Sequence, residues 1–145
     1  MPDSPRDLGR RWFDEVWNDG RREAIAEMLT PTCVIHDGET DSIGPDGFHL
    51  FFDRMNGSFS DIQVTVNDTI EEGDIACIRW TCTAKHTGAD LGIPPTGKPV
   101  RMTGITILRA SSGRIDEAWQ NWDMLGMLEQ VQAPGKKAAT YIGAA

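Results

Sequence analysis

The segment Ile75–His86, IACIRWTCTAKH, decides the fold class because it predicts one long β-strand. It is rich in β-branched and aromatic residues, and successive side chains of a strand point to opposite faces of a sheet. The two predicted faces carry Ile78, Trp80, Cys82, Ala84 and His86, and Ile75, Cys77, Arg79, Thr81 and Thr83. A period of two maintained over this length is typical of a strand and not of a helix.

The segments on either side of this strand continue the same period. Upstream, Ile62, Val64 and Val66 alternate with polar residues, which predicts a preceding strand. Downstream, residues 87–99 contain Gly, Pro and Thr and predict a loop, and two further strands follow over residues 100–109 and 115–123. Ser111-Ser112-Gly113 predicts the turn between them, so we expect two long hairpins.

Helical patterns occur before these strands. Leu8, Trp12 and Val16 recur every four residues, and a second short helix follows that ends near Pro31. A third helix is expected to begin at Gly44-Pro45, and a short strand is expected near residues 34–36. Helices that precede antiparallel strands predict an α+β fold, in which three N-terminal helices pack on a curved, mainly antiparallel sheet and leave a pocket. We expect one domain over residues 1–131 and a partly disordered tail over residues 132–145.

Composition excludes several classes of partner. The chain has 145 residues and a net charge of −8, and Lys136-Lys137 is its only Lys pair, so no basic surface for nucleic acid is expected. No stretch is apolar enough to span a membrane, and the polar N-terminus predicts a cytoplasmic protein. The three cysteines, Cys33, Cys77 and Cys82, lack C-x-x-C spacing and are expected to be reduced and mostly buried. The scattered histidines do not predict a metal site.

Several short motifs resemble those of the SnoaL-like polyketide cyclases, within the nuclear transport factor 2-like superfamily. They are Trp17–Gly20, Val34–Asp37, Phe59–Ile62, His86–Gly88, Gly92–Lys98, Gly113–Trp119 and Gly126–Gln130. The resemblance covers Leu8–Gln130 and implies a conical α+β fold and a homodimer. It also implies an intramolecular aldol condensation without metal or cofactor, in which Asp123 matches the acid/base carboxylate. Ala118 departs from the family pattern, since relatives often carry His there.

Asp123 is the first candidate for catalysis. A period of two in the last strand places it on one face with Trp119 and Asn121. We expect this face to line an apolar cavity, where poor hydration raises the pKa of a carboxyl group and suits it to acid/base chemistry. The alternative is that Asp123 caps the turn that follows the strand.

Six further residues are candidates for the site. His86 is expected to relay a proton or bind a developing enolate, or alternatively to bond the loop that follows it. His36 and Asn121 are expected to bind the substrate near the pocket, the alternative for His36 being an edge histidine. Trp80 and Trp119, together with Trp122, are expected to form hydrophobic walls or to pack in the core. We expect the loop over residues 88–98 to border the pocket entrance.

Three functions follow from these candidates. The first is a cyclase or isomerase that acts on a small apolar or aromatic substrate with a carbonyl group. The second is an enzyme resembling limonene-epoxide hydrolase, although Arg79-Trp80-Thr81 lacks the second carboxylate of the Arg-x-Asp pair which that chemistry needs. The third is a non-catalytic protein that binds a small molecule. The sheet carries apolar residues on both faces, which predicts a homodimer that covers the outer one.

Overall fold

The computed structural model describes residues 3–132, so the predicted tail lies, apart from Gln132, outside the described residues. The helices are α1 (Pro5–Arg11), which continues directly as a π-helical segment (Trp12–Asn18), α2 (Ala24–Met28), α3 (Gly44–Asn56) and α4 (Met124–Val131). The strands are β1 (Leu29–Asp37), β2 (Thr40–Ile43), β3 (Phe59–Glu72), β4 (Ile75–His86), β5 (Pro99–Ser111) and β6 (Arg114–Trp122).

The strands form one sheet of six strands in the order β2-β1-β6-β5-β4-β3. The pairing of β1 with β6 is parallel, and the other pairings are antiparallel. The predicted α+β class is therefore confirmed, and strand β4 begins and ends where the alternation predicts. Strand β2 was not predicted, and β1 is longer than expected because the chain becomes extended at Leu29 and continues through Pro31.

Local signals explain where the helices begin. Ser4 caps α1 by accepting a hydrogen bond from the Asp7 N–H at 3.1 Å, and Pro5 occupies the first turn. Helix α3 begins at Gly44, as predicted, in a left-handed backbone conformation with φ of 66°. A side chain at Gly44 would lie 2.5 Å from the carbonyl oxygen of Pro31, so this junction between β2 and α3 requires glycine.

The helices pack against the concave face of the sheet. The largest completely buried apolar side chains in this interface are Leu8, Ile25, Met28, Leu29, Ile78 and Leu108. The three cysteines are unpaired, and Cys77 and Cys82 point to opposite faces of β4, as their spacing predicts. No helix among residues 3–132 is both long and apolar enough to cross a membrane.

Candidate functional site

A main cavity lies between the concave face of the sheet, the π-helical segment and α3. Its lining is Phe13, Trp17, Phe51, Met55, Phe59, Ile62, Val64, Trp80, Cys82, Met102, Gln120 and Trp122. The cavity has a volume of about 60 Å³, which corresponds to on the order of five waters. The apolar, aromatic lining suits a small hydrophobic molecule or one end of a larger one.

Trp80 forms one wall of the main cavity, in agreement with the sequence prediction. Its indole N–H donates to the Thr106 hydroxyl at 3.0 Å, which satisfies the only polar atom of the ring in a buried position. The ring lies over Gly104, its partner on β5, where a Cβ atom would come within 2.3 Å of it. Glycine at position 104 therefore leaves the space that the Trp80 ring occupies in the cavity wall.

The polar groups of the cavity wall are few. Burial raises the pKa of the Cys82 thiol to about 11, so this cavity residue is a neutral thiol and not a thiolate nucleophile at neutral pH. Gln120 is the remaining polar side chain of the wall. Recognition of a polar group inside the cavity therefore depends mainly on the Gln120 amide and on what it contacts.

Asp37 is a carboxylate that contacts this polar position. Its Oδ2 accepts a hydrogen bond from Gln120 Nε2 at 3.4 Å, and the two residues are direct partners in the parallel pairing of β1 with β6. Asp37 is partly buried at the end of β1, and desolvation raises its pKa above that of an ordinary aspartate. The side chains of Trp122 and Gln120, both in the cavity wall, oppose part of this increase.

Asp123 does not lie in the cavity, and the prediction that it does is wrong. Its side chain is exposed and caps α4, where Oδ1 accepts a hydrogen bond from the Gly126 N–H at 2.9 Å. Strand β6 ends at Trp122, so Asp123 no longer follows the alternation of the strand. The position corresponds to the capping alternative, while a catalytic role for Asp123 stays a prediction.

Trp119 and Asn121 lie on the outer face of β6, contrary to the prediction that they line the cavity. A register shift between Arg109 and Ala110 of β5 changes which residues of β6 face inward. Ile115 is buried as the alternation predicts, but beyond the shift the inward positions are Ala118, Gln120 and Trp122. A one-residue change of register moves every later side chain to the opposite face.

His36 lies on the outer face as well, stacked on Trp119 with ring centroids 5.6 Å apart. Its Nδ1 is 2.8 Å from Asp41 Oδ1 and its Nε2 is 2.7 Å from Glu117 Oε2. Hydrogen bonds to Glu117 and Asp41 raise the pKa of the imidazole. His36 therefore links β1, β2 and β6 on the outer face of the sheet, and it does not contact the main cavity.

His86 is completely buried at the end of β4, on the face that carries Trp80, but it lines neither cavity. Its Nδ1 lies 3.0 Å from the Thr96 hydroxyl and accepts from the Thr96 N–H at 3.3 Å. Its backbone also bonds Gly97 and Lys98. His86 thus fastens the loop after β4, and no residue of this loop lines the main cavity, so the prediction that it borders the entrance has no support.

The remaining alternatives can be compared with the geometry. Among residues 3–132, no group of three or more His, Cys, Asp or Glu side chains is arranged to hold a metal ion. Arg79 points away from the cavity and is paired with Asp68, with 2.6 Å between Nε and Oδ2. The arginine considered for epoxide hydrolysis is therefore on the wrong face of β4.

Sequence reasoning missed Asp37 and Gln120 as site residues. A signal for Asp37 was present, because the alternation of Cys33 and Ile35 in β1 continues to it on the concave face. No comparable signal existed for Gln120, because its orientation depends on the register shift between β5 and β6. The two residues meet only through the parallel pairing of strands that are far apart in sequence.

Comparison with known proteins adds to these observations. The family model of the SnoaL-like polyketide cyclases matches residues 8–131. No match is found among curated protein sequences. Among solved structures, IdmH from Streptomyces antibioticus, assigned as a polyketide cyclase, is 30% identical and has a TM-score of 0.77. That match covers 88% of this chain and 98% of IdmH.

A second structure, from Jannaschia sp. CCS1, is assigned as a SnoaL-like polyketide cyclase. It is 25% identical, with a TM-score of 0.82, and the match covers 92% of this chain and 99% of the other. AclR from Streptomyces galilaeus, assigned as a hydroxylase, is 24% identical with a TM-score of 0.79 over 88% of this chain and 94% of its own, and shares the fold alone. The fold is of the nuclear transport factor 2-like kind, as predicted, and the chain belongs to the SnoaL-like polyketide cyclase family.

Proposed function

We propose that this protein is a cyclase or isomerase that transfers a proton next to the carbonyl group of a small apolar or aromatic, polyketide-like molecule. The observation that carries the proposal is the position of Asp37, a partly buried carboxyl group with a raised pKa beside two side chains of the cavity wall. A carboxylate in such a place is a stronger base than one in water and is also a usable acid.

The reaction requires one base and one binding position for the carbonyl group. Asp37 removes a proton from the carbon next to the carbonyl, and the charge that develops is delocalised onto the carbonyl oxygen as an enolate. The enolate carbon then forms a bond to a second carbonyl carbon of the same molecule, and protonated Asp37 returns the proton to the new alkoxide. Atoms are conserved, and the aromatic walls hold the two reacting ends close together.

Asp123 remains the candidate that the family resemblance supports. Its carboxylate is exposed, caps α4 and does not line the main cavity. On geometry alone we therefore favour Asp37. A non-catalytic binding protein is the second candidate function, and the apolar lining of the main cavity supports it equally.

The experiment compares Asp37→Asn with Asp123→Asn, since both changes keep the shape of the side chain and remove the base. Exchange of deuterium from solvent into the α-carbon of phenylacetone, followed by NMR, measures proton abstraction without the natural substrate. We expect the wild type to accelerate exchange and Asp37→Asn to lower the rate by about a hundredfold or more, while Asp123→Asn retains it.

Two other results would contradict this assignment. Loss of exchange in Asp123→Asn with normal rates in Asp37→Asn would make Asp123 the base. If phenylacetone binds, as shown by chemical-shift changes, but exchanges no faster than in buffer, the non-catalytic binding function is favoured instead.

A further inference from the structure

A second, smaller space lies behind the main cavity, and we call it the rear compartment. It is bounded by Leu29, Ile35, Thr106, Leu108, Ile115 and Ala118, and it also touches Trp12 and Phe48. Its volume is about 20 Å³, which is room for one or two waters or for a methyl or ethyl group. Its lining is apolar except at Thr106 and Gln120.

Two side chains, Phe13 and Gln120, line both the main cavity and the rear compartment. Phe13 is almost completely buried, and its ring packs 5.6 Å from that of Trp80, so dense packing holds it in place. Gln120 is different, because its amide is held mainly by the 3.4 Å hydrogen bond to Asp37. Of the two side chains that separate the main cavity from the rear compartment, Gln120 is thus the less firmly held.

The strand partners of Gln120 explain why this position can limit how far a ligand reaches into the rear compartment. On β5 its direct partner is Thr106, whose hydroxyl is engaged by Trp80, and on β1 its direct partner is Asp37. Removal of the Gln120 side chain beyond Cβ would remove the polar side chain that lines both spaces. The main cavity and the rear compartment would then form one longer apolar space.

We propose that Gln120 is a specificity-determining residue that sets how far the apolar end of a carbonyl ligand reaches past the reacting group. An aromatic ring in the main cavity contacts Trp17, Trp80 and Trp122, and a short alkyl substituent passes Gln120 into the rear compartment. The inference rests on the proposed function in one respect, which is that the main cavity holds the substrate. The ligand class is an alkyl aryl ketone with a short alkyl arm.

The test measures binding of acetophenone, propiophenone, butyrophenone and valerophenone by quenching of tryptophan fluorescence. For the wild type we expect affinity to stop increasing at the two-carbon arm, because the rear compartment is then full. In Gln120→Ala we expect the increase to continue for about two more methylenes, at roughly fourfold per methylene, since each buried methylene contributes about 0.8 kcal/mol.

Two control variants distinguish a specific effect of Gln120 on the preferred length of the alkyl arm from a general change in binding. Asn121→Ala changes the neighbouring residue on the outer face of the same strand and should leave the preferred arm length unchanged. Ala118→Val narrows only the rear compartment and should weaken propiophenone while sparing acetophenone. A near-ultraviolet circular dichroism spectrum like that of the wild type establishes that each variant is folded.

The outcomes separate this inference from the proposed function. A longer preferred alkyl arm in Gln120→Ala than in the wild type supports the inference. This holds even if no variant catalyses deuterium exchange, because binding is measured independently of proton transfer. The same preferred arm length in Gln120→Ala and the wild type overturns it. Failure of the wild type to bind any of the four ketones also overturns it.

Discussion

The carboxylate of Asp37 lies 3.4 Å from the amide nitrogen of Gln120, which is its partner across the parallel strands β1 and β6. This contact joins a titratable group that lies outside the cavity lining to a side chain within it. Desolvation is the larger influence on Asp37 and raises its pKa, since the two nearby donors offset only part of the effect. The folded protein therefore holds a carboxyl group whose pKa lies above that of an ordinary aspartate.

Asp37→Asn is expected to stabilise the fold at neutral pH while it removes the proposed base. Because the pKa is raised in the folded state, ionisation of Asp37 lowers the free energy of unfolding as pH rises above 3.8, its ordinary value. The gain in the variant should vanish at pH values below 3.8, where Asp37 is protonated in both states. Urea unfolding between pH 3.5 and 7.5 measures this, with Asp123→Asn as the control, and a less stable variant at pH 7 would contradict it.

His36, on the outer face of the sheet, is expected to produce a second loss of stability with rising pH, in a higher pH range than Asp37. Its pKa is raised above 6.5 by Glu117 and Asp41, so its stabilising effect is complete below pH 6.5 and is lost as pH rises through the folded-state pKa. His36→Gln should abolish this loss. Urea midpoints from pH 5.5 to 9 measure it, and His49→Gln, on α3, is the control. A variant with the slope of the wild type would contradict the prediction.

Much of this fold follows from local patterns in the sequence. The alternation in Ile75–His86 places both ends of β4 correctly, and Gly44-Pro45 places the start of α3, because these signals depend only on nearby residues. Strand β2 (Thr40–Ile43) contains three polar residues and one apolar residue, and its strand structure comes from pairing with β1. A segment of this kind is specified by its partner and carries no signal of its own.

The site was harder to predict because it depends on register. Ile115 and Trp119 share a parity in the sequence, yet Ile115 is buried while Trp119 faces outward, because β5 and β6 shift register between them. The alternation correctly grouped Trp119 with Asn121 but assigned the group to the wrong face. Asp37 and Gln120 come together through a parallel pairing that no local pattern encodes.

Gly104→Ala is expected to destabilise the protein and deform the main cavity. The added methyl group would meet the Trp80 ring at 2.3–2.8 Å, so the rigid indole or the backbone of β5 has to move. We expect a loss of about 1–3 kcal/mol in the free energy of unfolding and weaker ketone binding. Thr103→Ala, the exposed neighbour on the same strand, is the control, and a Gly104→Ala protein with unchanged stability and binding would contradict the argument.

Asp123 is expected to contribute to stability through its cap, independently of any catalytic role. Asp123→Ala removes the acceptor for the Gly126 N–H and should lower the free energy of unfolding by about 1 kcal/mol, whereas Asp123→Asn keeps an acceptor and should lose much less. Thermal unfolding of both variants provides the measurement. Equal losses in the two variants would show that the charge, and not the hydrogen bond, is what matters.

The outer face of the sheet is expected to form the interface of a homodimer. Ile105 is 45% exposed and Ile107 is 38% exposed, and both lie on the outer face of β5. Cys77 and Trp119 are the direct strand partners of Ile107. Isolated exposed apolar residues are common, but a contiguous group at the centre of a sheet indicates a surface that another protein covers. A second copy of the chain is the simplest partner, because a twofold axis places the same patch on both sides.

Ile107→Lys should therefore weaken self-association by tenfold or more, because it places a charge at the centre of the contact. Light scattering coupled to size exclusion at micromolar concentration should give the mass of two chains for the wild type and of one chain for the variant. Leu50→Lys is the matched control, since Leu50 is 75% exposed on α3 and does not belong to the sheet. A wild-type protein of single-chain mass, or a Leu50→Lys protein that dissociates while Ile107→Lys does not, would contradict this interface.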